Sequence, residues 1–244
     1  MLLTHVVTVA SQISLTTGGS SPEVVRARDL LQGVLARARS SGIMARGLVE
    51  VARSVEDGLL AASQSHHAGT ILVGYSDLGS EAGETSHAEE WFDRTMHRVA
   101  RKAHADVIVA KFRRESHERI AMPVSIGAQL GLPRSLLAAL GGQPATEVTF
   151  VHVVGSGASV DDAQATVSAE LEAGGLAGMG QLEVQASDTM VESVVAAGAD
   201  HDLVILTPAD RPRVLSRFYS SRAEKIAERV SGSVILAWGS EASE

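Results

Sequence analysis

Short apolar runs alternate with longer stretches of helical period along the whole chain. Thr4-His5-Val6-Val7-Thr8-Val9 is short and β-branched, which predicts a strand. A turn-rich stretch from Thr16 to Pro22 follows, and Ser21-Pro22-Glu23 has the form of an N-cap with proline in the first helical position. Val24, Ala27, Leu30, Leu31, Val34, Leu35 and Ala38 then recur at helical spacing, and Gly42 closes the helix. Leu48 to Val51 predicts the next strand, Ser54 caps a helix reaching Ala68, and Thr70 to Tyr75 reads as a buried strand. A long polar loop from Ser76 to Glu90 separates it from a helix over 90–104 and a strand from Asp106 to Lys111.

Beyond a charged linker, Arg113 to Glu118, the same order returns. The predicted strands are Arg119 to Val124, Glu147 to Val154, Gln181 to Gln185, Asp202 to Leu206 and Ser233 to Trp238. Helices are predicted between them over Pro133 to Leu140, Val160 to Ala173, Met190 to Ala199 and Phe218 to Val230. Alternation of this kind implies parallel β-α-β units with right-handed crossovers. Thr70 to Tyr75 matches Asp202 to Leu206, and Asp106 to Lys111 matches Ser233 to Trp238. The chain therefore reads as a duplication, with domains expected at 1–113 and 119–240.

Composition narrows the picture. Of 244 residues 45% are hydrophobic and only 3% aromatic, so the core must be Val, Leu, Ile and Ala, as in parallel sheets under alanine-rich helices. A net charge of −8 argues against a nucleic-acid partner. The absence of cysteine removes disulfides, thiolate metal sites and cysteine nucleophiles. No apolar stretch is long enough to span a bilayer, and Met1 to Val7 lacks a basic signal-peptide start. A cytoplasmic protein is expected, at the inner face of the membrane if a partner holds it there.

Several residue strings point to one family. They are Met122-Pro123-Val124, the run Glu147 to Val154 ending His152-Val153-Val154, Asp202-Leu203-Val204-Ile205-Leu206, and Ala223 to Val230 before an apolar last strand. In this order they resemble the universal stress proteins across nearly the whole second half. The resemblance implies an α/β, Rossmann-like fold: two tandem open parallel sheets with helices on both faces, each in the strand order 3-2-1-4-5. The first half fits with one strand and helix missing, because its opening strand resembles the family's second. Omitting the central first strand would leave two rows of backbone donors and acceptors without partners. Two readings stand open: an upstream segment or a partner supplies that strand, or Thr4–Val9 begins a smaller four-stranded sheet.

The stretch from Glu56-Asp57-Gly58-Leu59-Leu60 through Thr70 to Tyr75 resembles the cytosolic C-terminal tails of cation-chloride cotransporters and related amino-acid permeases, with Gly69 where those tails have asparagine. That likeness implies a non-catalytic regulatory or scaffold pair of domains, packing on a membrane transporter domain in cis or as a partner. Stress-protein sheets also dimerise through the last strand, so a homodimer through Val234 to Trp238 is expected by resemblance. The alternative is a free-standing tandem stress protein that binds ATP or another small nucleotide.

By the same resemblance, ATP-binding members use an aspartate after the first strand and a glycine-rich phosphate loop after the fourth. Ser125 stands at the aspartate position, and Thr207 to Arg213 contains two prolines and no glycine. Ser220-Ser221 replaces the loop's final Gly-Ser. In the first half Gly74, Gly79 and Gly83 remain, but Asp93-Arg94 ends the loop, and an aspartate repels phosphate. The residual nucleotide site is Pro123, Val124, Ser125, Gly127, Thr207, Ser220 and Ser221, with no resident cofactor expected and ATP as the ligand to try. Arg211, Arg213, Arg217 and Arg222 could meet an anion, or be solvated helix and loop charges.

Other chemistry is thin. His66 and His67 are adjacent on a helix and diverge by about 100°, and no H-x3-H or H-E-x-x-H spacing occurs, so no metal site is expected. No G-x-S-x-G elbow supports a serine nucleophile, and Asp161-Asp162 suits a helix's first turn better than paired-acid catalysis. The expectation is a protein that is not an enzyme.

Overall fold

The computed structural model describes residues 1–12, 14–15, 21–76, 85–114, 117–128, 130–140, 146–208 and 222–240. By compactness the chain divides into one unit of Met1–Ile71 with His87–Ala105, and a second of Leu72–Ser86 with Asp106–Glu244.

The first unit begins with β1 (Leu2–Thr8), α1 (Pro22–Ser40), β2 (Arg46–Ala52) and α2 (Val55–Ser65). Ser21 caps α1 by accepting the Val24 N–H, and Ser54 caps α2 by accepting the Asp57 N–H, the roles their sequence positions predict. β1 and β2 pair in parallel from Leu2 opposite Arg46 to Thr8 opposite Ala52. Val7, Val24 and Ala27 form a small core, with Val49 and Val51 packed against it. Gly58 allows α2 to rest on β1, since a Cβ there would stand 2.4 Å from Val6 Cγ1. The buried carboxylate of Glu56 pairs with Lys102 and, at 3.7 Å, with Arg98, both on α3 (Thr85–Lys102).

The remaining elements are β3 (Thr70–Ser76), β4 (Asp106–Phe112), β5 (Arg119–Pro123), α4 (Gly131–Leu140), β6 (Glu147–Val154), α5 (Val160–Ala173), β7 (Gln181–Ala186), α6 (Met190–Ala199), β8 (Leu203–Leu206), α7 (Arg222–Arg229) and β9 (Ser233–Trp238). One seven-stranded sheet runs β3-β4-β9-β8-β5-β6-β7. Its five second-half strands are parallel and follow the expected order 3-2-1-4-5. Ile120, Met122, Phe150, Leu176, Leu203 and Ile205 are fully buried and anchor its core. The large residue in this core is Phe150, and the rest is aliphatic, as the scarcity of aromatics requires.

β4 meets β9 antiparallel, with Val107 opposite Trp238 and Lys111 opposite Val234. This pairing corrects three expectations. The sheet is mixed, so the chain does not build two separate all-parallel sheets. β3 and β4 extend the second-half sheet, so Thr4–Val9 does not begin a four-stranded sheet with them; β1 has β2 alone as a neighbour among the described residues. Val234–Trp238 is hydrogen-bonded on both edges, by β8 and by β4, and offers no edge for a homodimer of the expected kind. The expected membrane transporter domain in cis is also contradicted: no helix among the described residues is long and apolar enough to cross a membrane.

At the amino ends of β5, β8 and β9 the linker is clasped to the sheet. Asp202 accepts the backbone N–H of Arg119 at 3.0 Å and pairs with the Arg114 guanidinium at 3.2 Å. Ser233 Oγ, wholly buried, accepts the N–H groups of Arg113 and Arg114 and lies 3.2 Å from His117 Nε2. Ser233 is wholly buried and its oxygen already accepts two backbone N–H groups, so the pair is a structural joint and not a nucleophile with its base.

Candidate functional site

After β5 the chain turns to one side of the sheet through β6 and β7, then returns to the other side with β8 and β9. The reversal lies between β5 and β8, and open α/β sheets bind ligands beyond the strand carboxyl ends at such a point. Registered pairing of β5 with β8 covers only Ile120 with Leu203 and Ala121 with Val204. Both strands continue beyond it, and Pro123 has no N–H to extend the ladder. Val124 and Ser125 therefore stand on one side of the switch point and Thr207 on the other.

The β5 side of the switch point is a tight turn. Ala128 N–H donates to the Ser125 carbonyl at 3.1 Å, and Gly127 takes φ +75°, a conformation that other residues resist. Val124 is locked in place: its N–H donates to the Val151 carbonyl, and its own carbonyl lies 2.8 Å from His152 Nδ1. His152 is buried, so its ring holds this carbonyl without exposing an edge to solvent. Ser125 and Gly127 are exposed, and the exposed Ile126 between them gives the rim one apolar side chain.

Of the expected site residues, Pro123, Val124, Ser125 and Gly127 thus share one strand end and turn, and Thr207 follows β8, half-buried. Ser220 and Ser221 lie outside the described residues, as do Gly79, Gly83, Arg211, Arg213 and Arg217.

Two groups bonded to the loops after β5 and β6 escaped sequence reasoning. Glu170 on α5 accepts the Gly127 N–H, with both carboxylate oxygens 3.0 Å away. A backbone donor that could face an anion is thereby taken by a carboxylate. Asp188, after β7, accepts the Ser156 hydroxyl at 2.7 Å and the Ser156 N–H at 3.0 Å, tying the β6 and β7 loops together. These bonds, the hydroxyl first, hold the Asp188 carboxyl below its ordinary value. Neither group stands in a recognisable motif; the partners are 43 and 32 residues apart.

Elsewhere, a cleft of about 250 Å³ in the first unit is lined by Leu60, Ser63, Gln64, His67, Ala103 and His104, with His67 at φ 50°. Among the described residues no three metal-ligating side chains come together there or anywhere else.

No family model matches the chain, and no curated protein does. Solved structures do. A universal stress protein from Archaeoglobus fulgidus DSM 4304 aligns with a TM-score of 0.61 at 14% identity, over 89% of this chain and 78% of that one. A putative universal stress protein from Pseudomonas aeruginosa UCBPP-PA14 aligns with a TM-score of 0.58 at 14% identity, over 98% of this chain and 92% of that one. With the 3-2-1-4-5 order in place, these likenesses show that the chain has the fold of the universal stress proteins.

Proposed function

We propose that this protein is a non-catalytic, tandem stress-protein-like module whose second half binds a small nucleotide between the carboxyl ends of β5 and β8. The observation that carries the reading is the reversal of strand order between β5 and β8, whose registered pairing ends at Ala121 with Val204. Ser125 supplies a hydroxyl there, Ile126 an apolar surface, and Thr207 a second hydroxyl. Nothing in the fold or the comparisons supports the transporter-tail expectation.

The described rim holds no cation and one carboxylate, Glu170. Binding therefore rests on the nucleoside more than on phosphate, and affinity is weak, with a Kd of roughly 100 μM or higher. Isothermal titration with ATP and with AMP tests this: both bind, with AMP no weaker than ATP. Absence of heat from either nucleotide at millimolar concentration refutes it.

Glu170 gives a second expected result. Glu170→Gln keeps an acceptor for Gly127 N–H and removes one negative charge, so ATP binds about three- to tenfold more tightly at low salt while AMP gains less. Titration of the variant in parallel with the wild type measures the difference.

A further inference from the structure

Helices α1 and α5 end alike. Gly42 at φ +74° and Gly175 at φ +70° close them, and the next residue turns back: Ile43 N–H donates to the Ala38 carbonyl at 2.9 Å, Leu176 N–H to the Leu171 carbonyl at 2.8 Å. Matched from these ends, Ile43 corresponds to Leu176, Val34 to Val167 and Leu30 to Ala163. Their environments are opposite. Leu176, Val167 and Ala163 are 0%, 2% and 8% exposed, whereas Ile43, Val34 and Leu30 are 45%, 44% and 57% exposed.

What covers the second-half residues is β5 with α4. Val167, Leu171 and Leu176 share a core cluster with Ile120 and Met122 of β5 and Leu137 of α4. The loop between β5 and α4 reaches α5 as well, through Gly127 on Glu170 and through Leu130, which leaves no room for a Cβ on Gly174. In the same way β6 has β5 as its second neighbour, while β1, its counterpart, has β2 alone among the described residues. The core of the first half is correspondingly turned on α1 toward Leu31 and Leu35, leaving Leu30 and Val34 to solvent.

We propose that the edge of β1 left unpaired among the described residues and the apolar surface of Leu30 and Val34 on α1, with Ile43 just beyond its end, dock a strand–helix segment of a second polypeptide. The strand is apolar and pairs parallel to β1; the helix is amphipathic and covers Leu30 and Val34. The segment has the chemistry of β5–α4, since those elements fill the matching surface of the second half. This is strand addition coupled to a helix in a groove, in which backbone hydrogen bonds give affinity and the apolar stripe gives register. It does not depend on the nucleotide reading, which concerns the other half.

The probe is a synthetic peptide of residues Glu118–Leu140 added to the intact chain, with hydrogen exchange followed across Leu2–Thr8. Bound peptide slows exchange of β1 amides by about tenfold or more. Leu30→Asp with Val34→Asp, at positions already exposed, abolishes the slowing without unfolding the unit. The same segment fused ahead of residue 1 through a flexible linker removes the cost of bimolecular association. Slowing in either format, sensitive to the aspartate pair, supports the proposal. Unchanged β1 exchange in both formats, or slowing that the aspartate pair leaves intact, overturns it.

Discussion

Gly180→Ala lowers the free energy of unfolding by about 3 kcal/mol, the largest loss we expect from a single methyl group in this chain. Gly180 stands just before β7, and a Cβ on it would fall 2.4 Å from the Val148 carbonyl oxygen and 2.8 Å from Val148 Cβ. The obstacle is the backbone of β6, which is paired on both sides, by β5 and by β7. Neither neighbour can yield without breaking a ladder, so β7 must move away. Gly178→Ala is the matched control: nothing lies within 4 Å of its Cβ, and its stability changes by less than about 0.5 kcal/mol. Urea unfolding of the two variants and the wild type reads both values, and equal midpoints for the two would contradict the packing described.

Asp202→Ala costs about 2 kcal/mol at neutral pH, because it leaves the Arg119 N–H and the Arg114 guanidinium without their common carboxylate. The cost depends on pH. The Arg119 N–H above all, and the charges of Arg119 and Arg114 with it, hold the Asp202 carboxyl below its ordinary value near 3.8, against the opposing pull of burial. A carboxyl with a depressed folded value stabilises fully above its unfolded value, about pH 4, and loses that contribution as pH falls through the folded value. The stability difference between wild type and Asp202→Ala is therefore constant from neutral pH to about pH 5 and shrinks in stronger acid. Unfolding midpoints measured along that range check the trend; a difference that grows in acid would exclude the clasp.

The residues that announce local structure did so in the sequence. Ser21 and Ser54 read as caps because a short hydroxyl before a helical period has one common use, and Gly42 read as a stop for the same kind of reason. The strands of the second half were legible as apolar runs between helices, and their order 3-2-1-4-5 followed from the resemblance to the universal stress proteins. The pairing of β4 with β9 was not. Both strands are mostly apolar, and nothing in an apolar run says which neighbour it takes or in which direction.

The site divides in the same manner. Pro123, Val124, Ser125 and Gly127 could be read because they are contiguous and follow a strand. Glu170 could not, because a glutamate in the last turn of a helix gives no sign that its carboxylate closes on a turn 43 residues earlier. The exposure of Leu30 and Val34 was also hidden: their spacing is that of a buried face, yet among the described residues nothing covers them.

The most direct measurement of the central claim is an amide chemical-shift map of the chain titrated with ATP to millimolar concentration. Saturable shifts at Val124, Ser125, Ile126, Gly127 and Thr207, with the β1 amides unmoved, are the predicted result. No shifts at these five positions, or saturable shifts confined to other parts of the chain, would contradict nucleotide binding between β5 and β8.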